Sequence, residues 1–216
     1  MKRLTTATLL ATTSLLGLLG TVVPATAAEG RRVLARAVPP SPFFERFARE
    51  GLFAIQYPAN WRVYEAEDGA SFAPEGGIKD LGGGRRALLY GLIVGQYEAS
   101  GALEDAAADL VSQVLVTHPY LRPREGASRP QEAEGGALTM ALSGRSSVTG
   151  EEEWVTIYAR RLPQGRIVYA FGIVPGPEYD EAAGTFAQMV RTIGGTDELI
   201  RHAARTVPDA AAPPRE

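Results

Sequence analysis

The chain has 216 residues and no cysteine. Without cysteine it can have no disulfide bond, no thiolate metal site, no cysteine nucleophile and no lipid anchor on an amino-terminal cysteine. Histidine is scarce as well, since only His118 and His202 occur, and the His-Glu-x-x-His motif of zinc peptidases is missing. A folded domain in this chain must therefore obtain its stability from its hydrophobic core.

Long apolar runs are missing after the first 27 residues. The run over about residues 7–23 follows Lys2 and Arg3, is diluted by hydroxyl residues, and precedes the small residues Ala25–Ala27. It is shorter than the ~20 apolar residues that a membrane-spanning helix needs. Residues 1–27 are therefore predicted to be a cleaved signal peptide, with an uncleaved anchor as the alternative. The mature chain is predicted to be periplasmic or extracellular, with no transmembrane segment.

Neither sign of charge is in large excess. The formal net charge of −3 makes the chain mildly acidic, which gives no support to nucleic-acid binding. Arg31, Arg32 and Arg36 form a small basic cluster in the proline-containing stretch 28–42. We interpret this stretch as a solvated linker, and contact of the arginines with anionic lipid is the alternative.

One folded domain is predicted over residues 43–195, followed by a polar tail over 196–216 that we expect to be disordered. The most informative part of this domain is 52–74, where apolar and polar residues alternate between turn residues. This pattern predicts three strands joined by two tight turns. In the first turn, Asn60 is expected to adopt a left-handed backbone conformation.

The other elements follow from hydrophobic periodicity and turn residues, and no internal repeat is present. Phe43, Phe44 and Phe47 suggest a short helix with an aromatic face. The remaining predictions are a strand over 85–97, a helix over 102–117, strands over 137–144, 154–160 and 166–174, and a closing helix over 177–193. Together these elements indicate an α+β domain.

Small residues recur at alternate positions of three predicted strands, which suggests one smooth and one bulky sheet face. The small residues are Gly91, Gly95, Ala137, Thr139, Ala141, Ala170 and Gly172. A smooth face would let a helix backbone approach closely. We expect the alanine-rich helix over 102–117 to cover it, and a ligand groove across this face is the alternative.

A glycine-rich loop, from Gly76 to Gly84, precedes the predicted strand over 85–97. Its glycines resemble a phosphate-binding loop, but no helix begins after them, so no helix amino terminus would face an anion. A mobile hairpin-like loop is the simpler interpretation. Arg85 and Arg86 at its end could still bind a carboxylate or an acidic partner.

Glu151, Glu152 and Glu153 form the densest acidic run. Hard cations such as calcium bind oxygen ligands, but consecutive side chains at the start of a strand point alternately to opposite sides. A solvated turn is therefore predicted, and a divalent cation is the alternative.

The other candidates for catalysis are weak. Ser146 follows a glycine but lacks the second glycine of a Gly-x-Ser-x-Gly nucleophile elbow. His118 lies at the carboxyl end of the predicted helix over 102–117, where a partly positive imidazole would suit the helix dipole. Capping or simple exposure is expected for His118, and no catalytic residue is predicted.

A family resemblance rests on the turn and core residues. Phe53-Ala-Ile-Gln-Tyr57-Pro58-Ala-Asn60-Trp61, then Gly69-Ala-Ser-Phe72 and Gly135-Gly136-Ala137, resemble the PsbP-like family over about residues 45–195. This family is named after an extrinsic subunit of photosystem II, and its fold includes a Ran-binding nuclear import factor and secreted bacterial domains. The resemblance implies an antiparallel sheet sandwiched between helices, an α/β/α sandwich. It transfers no functional residue.

The predicted function is an exported, non-catalytic binding or assembly-accessory module with a protein partner in the cell envelope and no cofactor. The alternatives are a small-molecule or divalent-metal binding protein and an unrecognised hydrolase. Exposed loops on a rigid scaffold are where recognition usually occurs. The candidate partner contacts are therefore Arg85, Arg86, Glu151, Glu152 and Glu153.

Overall fold

A computed structural model describes residues 37–99, 101–125, 129–133 and 135–196 of the chain. The predicted signal peptide (1–27), most of the predicted linker (28–36) and nearly all of the predicted tail (197–216) lie outside the described residues. Among the helices in the described residues, none is long and apolar enough to cross a membrane.

The described residues form strands, two α-helices and one short 3-10 turn at Gly176–Glu178. The strands are β1 (Phe44–Arg49), β2 (Phe53–Pro58), β3 (Arg62–Ala66), β4 (Gly69–Ala73), β5 (Ile78–Gly82), β6 (Arg85–Leu88), β7 (Gly91–Tyr97), β8 (Arg122–Pro123), β9 (Gln131–Ala133), β10 (Ala137–Arg145), β11 (Glu152–Arg161) and β12 (Ile167–Pro175). The helices are α1 (Leu103–Thr117) and α2 (Tyr179–Arg191). The α+β class predicted from the sequence is confirmed.

The main sheet is antiparallel and has the strand order β3-β4-β7-β12-β11-β10-β8, with β9 also paired to β10. Two hairpins, β1-β2 and β5-β6, form separate two-stranded sheets. The first hairpin is tied to the segment after α2 by an isolated bridge between Ala54 and Gly194. The three strands predicted over 52–74 are confirmed as β2, β3 and β4, but β2 pairs with β1 and not with β3.

The aromatic segment before β2 is a strand, so the predicted short helix over Phe43–Phe47 is wrong. Gly51 has a φ of 75°, and the N–H of Leu52 donates to the carbonyl of Arg49 at 3.1 Å. A three-residue hairpin loop with a left-handed glycine is a common connection between antiparallel strands. It pairs Phe47 with Ile55, a partner that the local sequence does not reveal.

The strand predicted over 85–97 is broken into β6 and β7. The N–H groups of Leu89 and Tyr90 both donate to the carbonyl of Gly77, at 2.8 and 3.1 Å. The ladder of β7 begins only at Gly91, whose φ is 150°. The glycine-rich loop is the tip of the β5-β6 hairpin, so the hairpin interpretation of this loop is confirmed.

Each helix packs in a different core cluster. Most buried residues of α1 lie in one cluster with Ile93, Tyr169, Phe171 and residues of β10 and β11. The buried residues of α2 lie in another cluster, which contains Leu92 and Ala170. These two strand residues are adjacent in sequence to Ile93, Tyr169 and Phe171. Because successive strand residues point to opposite faces, the central strands contribute to both clusters.

The predicted smooth face is only partly present, and the prediction that the helix over 102–117 covers it is wrong. Ala137, Thr139, Ala141, Ala170 and Gly172 share the face on which α2 packs, but Gly91 and Gly95 lie on the other face. Gly95 lies opposite Tyr169 in the ladder, whereas Gly172 lies opposite Leu92. Small residues of β7 and β12 therefore lie on opposite faces, each beside a large residue of the other strand. α1 packs on the bulky residues of β10, and Phe186 of α2 covers Gly172. This alternation keeps the packed volume even across the sheet.

Asn60 does not adopt the left-handed conformation, since no non-glycine residue with positive φ occurs in the described parts of the chain. Its side chain instead holds the segment that precedes β1. The Oδ1 atom accepts from the N–H of Ser41 at 2.8 Å, and Nδ2 donates to the carbonyl of Pro39 at 2.8 Å. The last residues of the predicted linker are thereby bound to the domain, although they have no regular secondary structure.

Candidate partner-binding site

Most of the candidate residues lie at or beside one end of the main sheet. β10 and β12 finish there at Arg145 and Pro175, and β11 begins there at Glu152. We call this the Glu152 end. The β5-β6 hairpin is inserted between β4 and β7 on the same side, because β4 finishes and β7 begins there.

Arg85 and Arg86 lie in β6 directly after the glycine tip, and both are exposed. The guanidinium of Arg86 lies 6.0 Å from the centre of the Tyr64 ring, within the range of a weak cation–π contact. Arg85 has no side-chain hydrogen bond to any residue in the described ranges. The hairpin thus presents at least one arginine to solvent.

Glu152 and Glu153 diverge, as the alternation of strand residues predicted. Glu152 accepts a hydrogen bond from Nε1 of Trp154 at 3.2 Å, whereas Glu153 accepts one from the hydroxyl of Tyr120 at 2.7 Å. Trp154 packs against the core cluster of α2 and Tyr120 against that of α1. No group of three histidine or acidic side chains in the described ranges is arranged to hold a metal ion.

The β5-β6 hairpin lies next to the acidic run and the turn that precedes it. Nζ of Lys79 in β5 donates to the carbonyl of Val148 at 3.4 Å. Leu89, which follows β6, lines one small cavity together with the acidic run and Pro175. The structure therefore places the β5-β6 hairpin beside the acidic run, although the two segments are far apart in the sequence. Lys79 and Leu89 join them, and the predicted arginines do not.

A cluster that the sequence analysis missed lies beside the acidic run, and we call it the arginine–aromatic stack: Arg124, Trp154 and Tyr179. The guanidinium carbon of Arg124 is 3.7 Å from the Trp154 ring centre and 5.8 Å from that of Tyr179. The two aromatic ring centres are 4.1 Å apart. Arg124 is exposed and both rings are half-buried.

Three different elements position this stack. Trp154 is a β11 residue paired with Val174 and Ser143, and Tyr179 is the first residue of α2. The N–H of Arg124, just after β8, donates to the carbonyl of Ala141 at 3.1 Å. The members are 25 or more positions apart, so no local spacing in the sequence could have revealed the cluster. A tryptophan beside an acidic run was the only local signal.

Burial changes the titration of groups close to this end. Burial raises the pKa of Tyr120 well above its usual value, and the carboxylate of Glu153 raises it further. Burial likewise raises the pKa of Tyr158, with a smaller contribution from Tyr179. Both hydroxyls are therefore neutral at physiological pH and serve as hydrogen-bonding groups.

His118 is the carboxyl-terminal cap residue of α1 and is only 5% exposed. The predicted simple exposure is wrong, because the ring lies against Tyr120 with centroids 5.9 Å apart. Burial lowers the pKa of His118, so the expected positive imidazole is disfavoured. Its Nε2 atom has no hydrogen-bond partner in the described part of the structure.

A second concave surface lies at the opposite end of the sheet, between the first turn of α1 and β9. It has a volume of about 590 Å³. It is lined by Glu104, Asp105, Ala108, Arg129, Pro130, Gln131, Glu132 and Leu138. Its carboxylates do not form a metal-binding group with others in the described ranges.

Comparisons with known proteins found no matching family model and no matching curated sequence. Among solved structures, the Ran-binding protein Mog1p of Saccharomyces cerevisiae is similar, with a TM-score of 0.47, 14% identity and coverage of 70% of this chain and 94% of that chain. Cyanobacterial PsbP (CyanoP) of Synechocystis sp. PCC 6803 has a TM-score of 0.45 and 12% identity, covering 79% and 98%.

A third similar structure is a protein of Bacteroides thetaiotaomicron, with a TM-score of 0.41 and 13% identity over 68% of this chain. The match spans only 47% of the length of that protein. The similar structures thus include a PsbP protein and Mog1p, as the resemblance in the sequence implied. At this low identity the likeness is one of fold alone.

Proposed function

We propose that this chain is an exported, non-catalytic module that binds a protein partner of the cell envelope through the Glu152 end of its sheet. The observation that carries the proposal is the arginine–aromatic stack beside the acidic run. Tryptophan, tyrosine and arginine are the residue types most enriched among the side chains that dominate protein–protein binding energy.

The position of the stack supports this role. Trp154 and Tyr179 expose part of their rings although each is anchored in a strand or helix, so little conformational entropy is lost when a partner covers them. Exposed residues at the same end of the sheet carry charges of both signs, with Arg85 in β6 and Glu151 in the acidic run. A rigid aromatic centre with a polar rim is the usual anatomy of such interfaces.

The remaining parts of the proposal rest on the sequence and on packing. Export is inferred from the signal peptide predicted over residues 1–27. The α/β/α sandwich is inferred from the separate core clusters of α1 and α2. A cation site in the acidic run is disfavoured, because Glu152 and Glu153 bind different partners on different sides of β11.

Site-directed photo-crosslinking in the native envelope tests the proposal. A benzophenone amino acid is placed at Arg85 or Glu151, both exposed, and crosslinked proteins are identified. The matched control carries the same amino acid at Glu67, which is exposed in the turn between β3 and β4 at the opposite end of the sheet.

We expect one protein to be captured from Arg85 or Glu151 and not from Glu67. Capture should decrease when Trp154 is also replaced by alanine, provided that circular dichroism shows a folded chain. If no position captures a protein, or if Glu67 captures the same proteins equally well, the proposed interface is wrong. Turnover of ester or peptide substrates by the purified chain would contradict the non-catalytic part of the proposal.

A further inference from the structure

We infer that the arginine–aromatic stack is a receptor for a carboxylate, and that the partner inserts an aspartate or glutamate side chain at Arg124. This inference rests on the proposed function and specifies the chemistry of the partner. It follows from the unused hydrogen-bonding capacity of Arg124, from the way its guanidinium is held and from the charges around it.

The guanidinium of Arg124 has its donors available. It has five N–H groups, and no residue in the described ranges accepts a hydrogen bond from them. The neighbouring arginines differ, because Arg122 donates to the carbonyl of Leu121 at 2.7 Å and Arg145 to that of Gly150 at 2.6 Å. Those two side chains hold loops in place, whereas Arg124 is held by aromatic rings alone.

The stack fixes this guanidinium before a partner arrives. Its carbon lies 3.7 Å from the Trp154 ring centre, much closer than Arg86 lies to Tyr64 at 6.0 Å. Trp154 is in turn held by Glu152 at its Nε1 atom and by Tyr179 against its ring. An arginine stacked on an aromatic face keeps its N–H fork free for a bidentate acceptor.

A carboxylate suits this position better than a phosphate. Both accept bidentate hydrogen bonds from arginine, but a phosphate monoester carries about −1.5 to −2 charges at neutral pH. The carboxylate of Glu152 accepts a hydrogen bond from Nε1 of Trp154 in the stack, and the chain itself has a net charge of −3. These charges repel a doubly charged phosphate more strongly than a singly charged carboxylate, and removing the phosphate from water also costs more. Both effects offset the stronger attraction of the phosphate to Arg124.

Tryptophan fluorescence provides a direct test, because the chain has only Trp61 and Trp154. In the Trp61→Phe variant of the full chain, Trp154 is the sole reporter. The probe is a peptide blocked at both ends that alternates glutamate with glycine. Its matched control contains glutamine in place of glutamate, and inorganic phosphate serves as the competing anion.

We expect a saturable change of Trp154 emission with the glutamate peptide and binding about tenfold weaker or undetectable with the glutamine peptide. Arg124→Lys keeps the charge but loses the fork, so it should also weaken binding about tenfold. Arg46→Lys, at an exposed arginine of β1, should leave binding unchanged. If Trp61→Phe does not fold, the same titration is done with the natural chain, with Trp154→Phe as the background.

The glutamine peptide with a free carboxyl terminus distinguishes the source of the carboxylate. Tighter binding of that peptide than of the blocked glutamate peptide would overturn the assignment to a side chain. Equal binding of glutamate and glutamine peptides, or stronger binding of phosphate, would overturn the carboxylate receptor. The crosslinking experiment distinguishes a failure of this inference from a failure of the proposed function. If a partner is captured and its yield does not change in the Arg124→Gln variant, only this inference is refuted.

Discussion

The ring of Phe186 lies directly on Gly172, and this contact brings α2 onto the sheet. A Cβ atom at Gly172 would lie 2.6 Å from Cδ2 and 3.0 Å from Cε2 of the ring. Phe186 is fully buried, and it also contacts Trp61 with ring centres 6.2 Å apart. Only glycine therefore allows the helix to approach β12 this closely.

Gly172→Ala is predicted to destabilise the domain. The added methyl group must displace either Phe186 or the strand, and overpacking of a filled core typically costs about 1–3 kcal/mol. The free energy of unfolding in urea, measured with tryptophan fluorescence, should fall by about this amount. An unchanged midpoint of unfolding would show that α2 does not pack here as described.

Gly184→Ala is the matched control on the same helix. A Cβ atom at Gly184 would have no neighbour within 4 Å, and alanine in an exposed helix position is favoured over glycine by about 0.5–1 kcal/mol. The same substitution should therefore stabilise the domain at one glycine and destabilise it at the other.

The stability of the domain is predicted to depend on pH through His118. Burial lowers the pKa of His118 in the folded state below the usual 6.5, so the unfolded state binds the proton more readily. The contribution of the neutral ring to stability is complete above about pH 6.5. It is lost as the pH falls below that value, by up to about 1.4 kcal/mol per pH unit.

His118→Gln serves as the reference, because glutamine does not titrate. The free energy of unfolding of both proteins is measured at pH 7.5 and pH 5.5. The advantage of the natural protein over the variant should shrink on acidification, by at most about 1.4 kcal/mol. His202 and the carboxylates are common to both proteins, so an unchanged difference would show that His118 is accessible to protons.

Asn60→Ala is predicted to release the segment before β1 with little effect on global stability. Asn60 is exposed, and its side chain binds Ser41 and Pro39. Loss of an exposed hydrogen bond costs about 0.5–1.5 kcal/mol at most. Hydrogen exchange at the amide of Ser41 should become about tenfold faster, measured by nuclear magnetic resonance.

Asn60→Asp separates the two hydrogen bonds of this side chain. Aspartate can still accept from the N–H of Ser41 but cannot donate to Pro39. The amide of Ser41 should therefore stay protected in this variant. Equal exchange rates in both variants would mean that the bond to Pro39 controls the segment.

Several elements could be predicted because their signals are local. The amphipathic stripe of α1 and the alternation in β10, β11 and β12 depend on residues a few positions apart, and the structure has these elements where they were expected.

The errors arose where a distant partner decides the conformation. Phe44 and Phe47 belong to a strand because β2 pairs with them, and the break before Gly91 exists because Gly77 accepts two N–H groups. The assignment of Gly95 and Gly172 to one face failed because the pairing register between β7 and β12 cannot be deduced from the sequence of either strand alone.

By itself, the sequence determined the cysteine-free α+β domain, most of its helices and strands, and the position of the turn after Pro58. These depend on backbone preferences and on periodicity, which act over a few residues. Only the tertiary structure decided which face each helix covers, that His118 is buried and that Arg124, Trp154 and Tyr179 meet. Such contacts join residues that are far apart along the chain, and their free energy comes from packing that exists only once the sheet has formed.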